Sequence, residues 1–254
     1  MARRPRRDHE DWDTDLSHDD DFDGEFQSYV PVSAHRERAQ EMARKLAEDG
    51  QVLEPAKASA KSLSTSFWGQ AWNRHLEAFS DYKTRLPRGR SYLRNGYVID
   101  LKITPGRIQA LVHGKELYEL SVRVAPQDDE KWEAIRRRCQ GSIDSLLDLL
   151  QGKLSDSVMR ILTDPETGIF PQPHEIKASC NCLDWADLCK HSAAALYGVG
   201  VRLDTQPELL FTLRGVAKEE LIQAAATAEP LGAEGTLTGV DLGDLFGLDM
   251  ESET

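Results

Sequence analysis

The sequence predicts an α+β protein: a small antiparallel β meander with helices, then a compact ββα unit, between disordered acidic termini. Three observations carry this reading. Three short runs between residues 97 and 124 alternate apolar and polar residues and are separated by Pro- and Gly-containing turns. Apolar residues recur at helical spacing on both sides of these runs. A cysteine-rich stretch then leads directly into an alanine-rich helical one. With 40% hydrophobic and 29% charged residues in 254, the chain is polar for one compact unit, which points to tails around a smaller folded part.

Charge is segregated along the chain. Residues 1–27 hold ten acids against four arginines, a net of −6, and residues 229–254 hold seven acids and no base. Residues 57–107 hold ten bases and three acids, a net of +7. Blocks of like charge are expected to be solvated tails. No run of about 18 apolar residues exists, so no membrane span is expected. The arginines at 3, 4, 6 and 7 are followed by acids rather than an apolar stretch, which argues against a secretory signal. The expected location is cytoplasmic, where the four cysteines stay reduced and metal binding outranks disulfides.

In chain order, residues 33–49 read as a charged surface helix stopped by Gly50, with few apolar positions (Ala39, Met42, Ala43, Leu46). Residues 51–65, with Pro55, read as a linker. From Phe67 to Phe79, Trp68, Trp72, Leu76 and Phe79 share one helical face, expected to pack into a core rather than to stack bases. Residues 85–96 (RLPRGRSYLRNG) read as a compact basic loop. Strands are predicted over 97–103, 107–112 and 117–124, joined by the turns Thr104-Pro105-Gly106 and His113–Glu116. Residues 128–138 read as a helix, with acids at its start and arginines at its end, as the helix dipole favours. Two short helices follow over 142–151 and 155–163, and Cys139 is expected to be a small buried hydrophobe. Pro165, Gly168, Pro171 and Pro173 mark a linker at 164–173.

The chemistry lies in residues 174–203. Three of the four cysteines fall within ten residues, with a histidine two past the last, in the spacing C-x-C-x6-C-x-H. Thiolates and imidazole are the ligands zinc prefers, and four of them close a tetrahedral site. In an extended strand residues i and i+2 point to one side, so Cys180 and Cys182 can face one ion from a hairpin. The six-residue spacer lets Cys189 and His191 complete the set from a helix start. A disulfide, a catalytic Cys–His pair and a catalytic zinc are the alternatives to a structural zinc. Four protein ligands leave no position for water, and a Cys–His pair leaves the other cysteines unexplained. One structural Zn2+ is therefore expected, and loss of a ligand such as Cys189 is expected to unfold residues 174–203. Trp185 is expected to pack beside the metal, since large aromatics supply core that small metal sites lack.

The run CNCLDWADLCKHSAAALY resembles the SWIM zinc finger, whose pattern is C-x-C-x(n)-C-x-H followed by a helix. The resemblance implies Cys180, Cys182, Cys189 and His191 as the ligands. Asp184 and Trp185 stand where bacterial members often carry Pro-Asp-Trp, with Leu183 in place of the proline. The upstream run from FWGQAW to ALVHG is similar to the region preceding the finger in such proteins, so the resemblance covers roughly residues 63–215. It implies a DNA- or protein-binding role and a link to Swi/Snf-type helicases.

The predicted organisation is a disordered acidic tail (1–32), a charged helix and linker (33–62), an α+β domain with a basic loop (63–163), a linker (164–173), a SWIM-type zinc finger with C-terminal helices (174–228) and an acidic tail (229–254). The leading functional expectation is binding to DNA or RNA, to a helicase-like partner, or to both. Its support is the basic segment, with Lys83, Arg85, Arg88, Arg90, Arg94, Lys102 and Arg107 interleaved with Tyr82, Tyr92 and Tyr97. Arg85, Arg88, Arg90, Tyr92 and Arg94 are the candidate nucleic-acid residues; a solvated loop, or one paired with the acidic tails, is the alternative. A second functional reading is a protein–protein adaptor, in which the acidic, apolar run 237–250 docks on a partner. No phosphate loop, dinucleotide fingerprint or Ser–His–Asp set is present, so no enzyme activity is expected.

Overall fold

The computed structural model of the chain describes residues 30–59, 62–140 and 156–226. The two acidic tails, the run 237–250 and the predicted helix 142–151 lie outside those residues, apart from the start of the first helix.

Among the described residues most helices and strands form where the patterns place them; the basic segment and the hairpin expected around Cys180 and Cys182 do not. Helix α1 spans Val32–Glu48 and α2 spans Phe67–Glu77, capped by the Ser66 hydroxyl, which accepts from the Gly69 N–H. The basic segment predicted as a loop is instead a helix, α3, Leu86–Arg94. Pro87 is tolerated in its first turn, and Leu86, Gly89 and Leu93 are buried on one face. Strands β1 (Val98–Thr104), β2 (Arg107–His113) and β3 (Leu117–Val124) form the predicted meander. Gly106, at φ +67°, supplies the left-handed residue of the β1–β2 turn. Then come α4 (Asp129–Cys139), α5 (Asp156–Leu162), β4 (Ile176–Cys180), α6 (Lys190–Leu203), α7 (Leu209–Arg214) and α8 (Lys218–Ala226).

The four strands make one antiparallel sheet in the order β1-β2-β3-β4. The register pairs Leu101 with Ala110, Ala110 with Leu120, and Leu120 with Cys180. The expected ββα unit is therefore not a separate hairpin: its first strand pairs with β3 of the meander, and 181–189 holds no strand. Nor does 164–173 separate two cores. Ile169 and Phe170 are buried, and the Phe170 ring packs edge-on against Trp72. Apolar residues in a Pro-rich stretch found more burial inside the common core than a linker offers.

Helix α6 is the axis of that core. Every residue from His191 to Gly200 is buried, because the run SAAALYGVG is small or apolar on all sides. It packs against the sheet, α2 and α3. The Trp72 indole donates to the Leu196 carbonyl at 2.7 Å, so the stripe of Trp68, Trp72 and Leu76 is core, as its spacing predicts. A Cβ on Gly89 would lie 2.5 Å from the Ala193 Cβ, so α3 and α6 touch nearly backbone to backbone. Part of the predicted linker 51–65 runs along β1: the Leu101 N–H donates to the Glu54 carbonyl and the Ala56 N–H to that of Val98. It thereby covers the sheet edge. Helix α1, predicted as a surface helix, buries Ala39 and leans Met42, Ala43 and Leu46 on the core.

Candidate metal centre

Four elements of local structure bring the predicted ligands together. Cys180 ends β4, and Cys182 follows it in the loop. Cys189 is the N-cap of α6, and His191 lies in its first turn. The strand end is fixed beside β3 by Asn181, whose N–H donates to the Glu119 carbonyl and whose side-chain oxygen accepts the Glu119 N–H. All four ligand atoms lie within 4.8 Å of one another. His191 Nδ1 is 3.8 Å from the Cys180 Sγ and 3.9 Å from the Cys189 Sγ. A tetrahedral ion with bonds of about 2.3 Å to sulfur and 2.0 Å to nitrogen sets sulfur–nitrogen separations of about 3.5 Å. The observed distances agree to within a few tenths of an ångström, so the donor set fits a metal ion.

The thiols are polarised before any ion is considered. Cys189 accepts a hydrogen bond from the Cys180 thiol, and the His191 ring and the Ser192 N–H and hydroxyl also face its sulfur; together they outweigh burial and hold its pKa at about 3. Its place at a helix N-terminus favours the same thiolate. Cys180 is pushed well up because it donates to Cys189 and is partly buried, and burial raises Cys182 too. These contacts favour the thiolate at Cys189 over those at Cys180 and Cys182, so binding an ion would release protons from the cluster.

His191 is held by aromatic rings that sequence patterns did not reveal. Tyr118 of β3 stacks on it, with centroids 3.9 Å apart at 18°, and Tyr92 of α3 meets it edge-on at 5.4 Å. A Cβ on Gly114 would lie 3.1 Å from the Tyr118 ring and 3.4 Å from His191 Nε2, so glycine leaves room for this stack. Tyr118 stood in a strand and Gly114 in a turn; only the folding of β3 against α6 joins them to His191.

Trp185 does not pack beside the metal site. It is 100% exposed and Leu183 is 84% exposed, while Leu188 fills the inner side of the loop. The core beneath the site is already occupied by α6, Tyr118 and Tyr92, so the indole has no vacancy to fill. The loop is nevertheless braced: Asp184 pairs with Arg85, the N-cap of α3, at 3.0 Å and accepts from the Ala186 N–H.

The candidate nucleic-acid residues lie on or at the start of α3. Arg85 pairs with Asp184, and Arg90 pairs with Glu77 and lies over the Tyr197 ring. Tyr92 packs on His191 and lies under the Lys190 ammonium, 5.5 Å from the ring centre. Arg88 is half-buried and Arg94 exposed, while Tyr82 and Tyr97 are buried. Cys139 is buried, and burial pushes its thiol up to about 11.

No helix among the described residues is long and apolar enough to cross a membrane. No protein-family model and no solved structure matches the chain. The chain is similar to the uncharacterized protein Rv2102 of Mycobacterium tuberculosis, with 28% identity over 181 residues. That match covers 70% of this chain and 65% of the relative, just under two thirds of the relative's length.

Proposed function

We propose that the protein is a non-enzymatic, zinc-stapled recognition module, which uses the loop between its two ligand pairs to dock on a protein partner. The observation that carries this reading is Trp185, fully exposed on a loop braced by Arg85 and bounded by Cys182 and Cys189. Tryptophan is among the side chains most enriched where a few residues dominate a protein interface. Leu183 widens the apolar contact, and Asp184 and Asp187 give its rim acidic character. The donor set of three thiolates and one imidazole supports zinc as the ion, because soft and borderline ligands in a closed four-coordinate site favour it. Bound there, zinc supplies a structural crosslink between β4 and α6. The resemblance to the SWIM finger makes a Swi/Snf-type helicase the first partner to test, and a cytoplasmic location fits reduced thiols.

The test is the affinity of zinc-loaded protein for a Swi/Snf-type helicase of the same organism. Trp185→Ala is expected to weaken it by about 2 kcal/mol or more, roughly thirtyfold, without loss of zinc. Unchanged affinity would remove the loop from the interface.

A second reading, binding of DNA or RNA by α3, is favoured by Arg94 and Arg88 standing on the helix that flanks the loop. With Arg85 and Arg90 held in internal pairs, two or three cations would reach phosphates. The slope of log K against log salt for a single strand should then be about −1.4 to −2.1. Anisotropy titrations with single-stranded DNA, duplex DNA and RNA read that slope, and no binding at low salt excludes this reading.

A further inference from the structure

A metal-binding histidine ordinarily donates its second ring N–H to a carboxylate, a carbonyl or a water, and that bond sets how the imidazole is turned. His191 departs from this pattern. Its Nδ1 faces the Cys180 and Cys189 sulfurs at 3.8 and 3.9 Å, so Nε2 carries the proton when Nδ1 holds an ion. Nε2 is buried and has no hydrogen-bond partner among the described residues. The second torsion of a histidine is a broad one, so an imidazole without that bond needs another restraint. Aromatic rings supply it. The Tyr118 ring lies 18° from parallel to the imidazole, with centroids 3.9 Å apart, and the Tyr92 ring meets it edge-on at 5.4 Å. A Cβ on Gly114 would lie 3.1 Å from the Tyr118 ring, 3.2 Å from the Tyr92 hydroxyl and 3.4 Å from Nε2, so the turn backbone closes over the same group. The Nδ1 lone pair lies in the plane of the imidazole. Twisting that plane would swing the lone pair away from the sulfurs and drive the ring edge into the face of Tyr118.

We propose that Tyr118 is a positioning residue for the metal: its stacked ring, in place of a hydrogen bond to Nε2, holds the plane of His191 so that Nδ1 completes the four-donor set. The role rests on the zinc site proposed above and is independent of what the exposed loop binds.

The test uses the full-length protein. Zinc affinity is read by competition with a chromogenic chelator, and nitrogen-15 spectra of the histidine rings show which nitrogen of His191 holds the ion. Tyr118→Leu is expected to weaken zinc binding by about tenfold or more and to diminish the metal-bound Nδ1 signal. Tyr118→Phe keeps the stacked ring and should stay within about twofold of the wild type, with the Nδ1 signal intact. Gly114 has no positive φ, so alanine suits its backbone, and Gly114→Ala should weaken binding only by crowding the stack. A Tyr118→Leu protein that melts lower but keeps its zinc affinity and Nδ1 signal would overturn the proposal, leaving Tyr118 as packing alone. So would a Tyr118→Phe protein as weak as Tyr118→Leu, which would assign the effect to the hydroxyl. If Tyr118→Leu does not fold, Gly114→Ala decides: full affinity with unshifted His191 signals would overturn the proposal. A wild type that binds no zinc would remove the site itself, and this role with it.

Discussion

Cys189 is at once a candidate ligand, the N-cap of α6 and the thiol of the cluster whose pKa is held lowest. Cys189→Ser keeps a capping oxygen but removes the thiolate, so zinc content, read by metal analysis, is expected to fall below one equivalent. Full zinc content with an unchanged melting temperature would sink the four-ligand assignment. Arg214 is the other residue on which much depends. It is 2% exposed and donates to the Ala125 carbonyl, the Gln127 side chain and the Glu175 carboxylate. Arg214→Met leaves Glu175 without its charge partner, and a loss of about 3–5 kcal/mol is expected in urea unfolding. Burial alone would raise the Glu175 pKa, but the Gln172 N–H and the Arg214 guanidinium outweigh it and hold the carboxyl below its ordinary range. A depressed folded-state pKa stabilises above the unfolded value near 4.5 and ceases to do so as the pH falls through the folded value. Unfolding profiles of the wild type and Glu175→Gln should therefore differ at pH 7 and converge in acid.

At the scale of elements, α3 and α6 are in close contact. Gly89→Ala puts a methyl 2.5 Å from the Ala193 Cβ, so the helices must part. The expected cost is about 1–3 kcal/mol, measured by thermal or urea unfolding, although alanine is the better helix former. A gain in stability would show that the helices are not in close contact. The loop between the ligand pairs should behave in the opposite way. Trp185→Ala removes a side chain that touches little, so a stability change within about 0.5 kcal/mol is expected alongside the loss of partner affinity.

For the whole molecule, the Cys/His cluster belongs to the main core rather than to a finger at its end. Cys180 sits opposite Leu120 in the sheet, and Cys189 starts the helix on which the core is built. Removing the ion by chelation should therefore lower one cooperative melting transition, instead of unfolding residues 174–203 alone. Structural zinc contributes on the order of 10 kcal/mol at neutral pH, as much as a domain's whole stability. Hydrogen exchange checks this: β1–β3 should lose protection together with β4, and full protection there in the metal-free protein would restore the separate finger.

Much of this was legible in the chain, because the signals were local. Alternation over 97–124 defined the meander, the spacing of Trp68, Trp72 and Leu76 defined a core face, and C-x-C-x6-C-x-H placed four donors within reach of one another. The basic segment misled because Pro87 and Gly89 are turn residues locally; only contact with Ala193 shows why a glycine sits in that helix. Pro-rich 164–173 misled in the same way, since Ile169 and Phe170 acquire their core only when β4 returns to β3. The sequence by itself determined most of the elements, the four clustered donors and the charge segregation, since those follow from residue type and spacing along the backbone. Tertiary structure alone decided that β4 completes the meander's sheet, that Tyr118 rather than Trp185 packs on His191, and that Arg85 pairs with Asp184. These contacts join residues far apart in the chain, where burial and charge pairing depend on which surfaces the fold brings together.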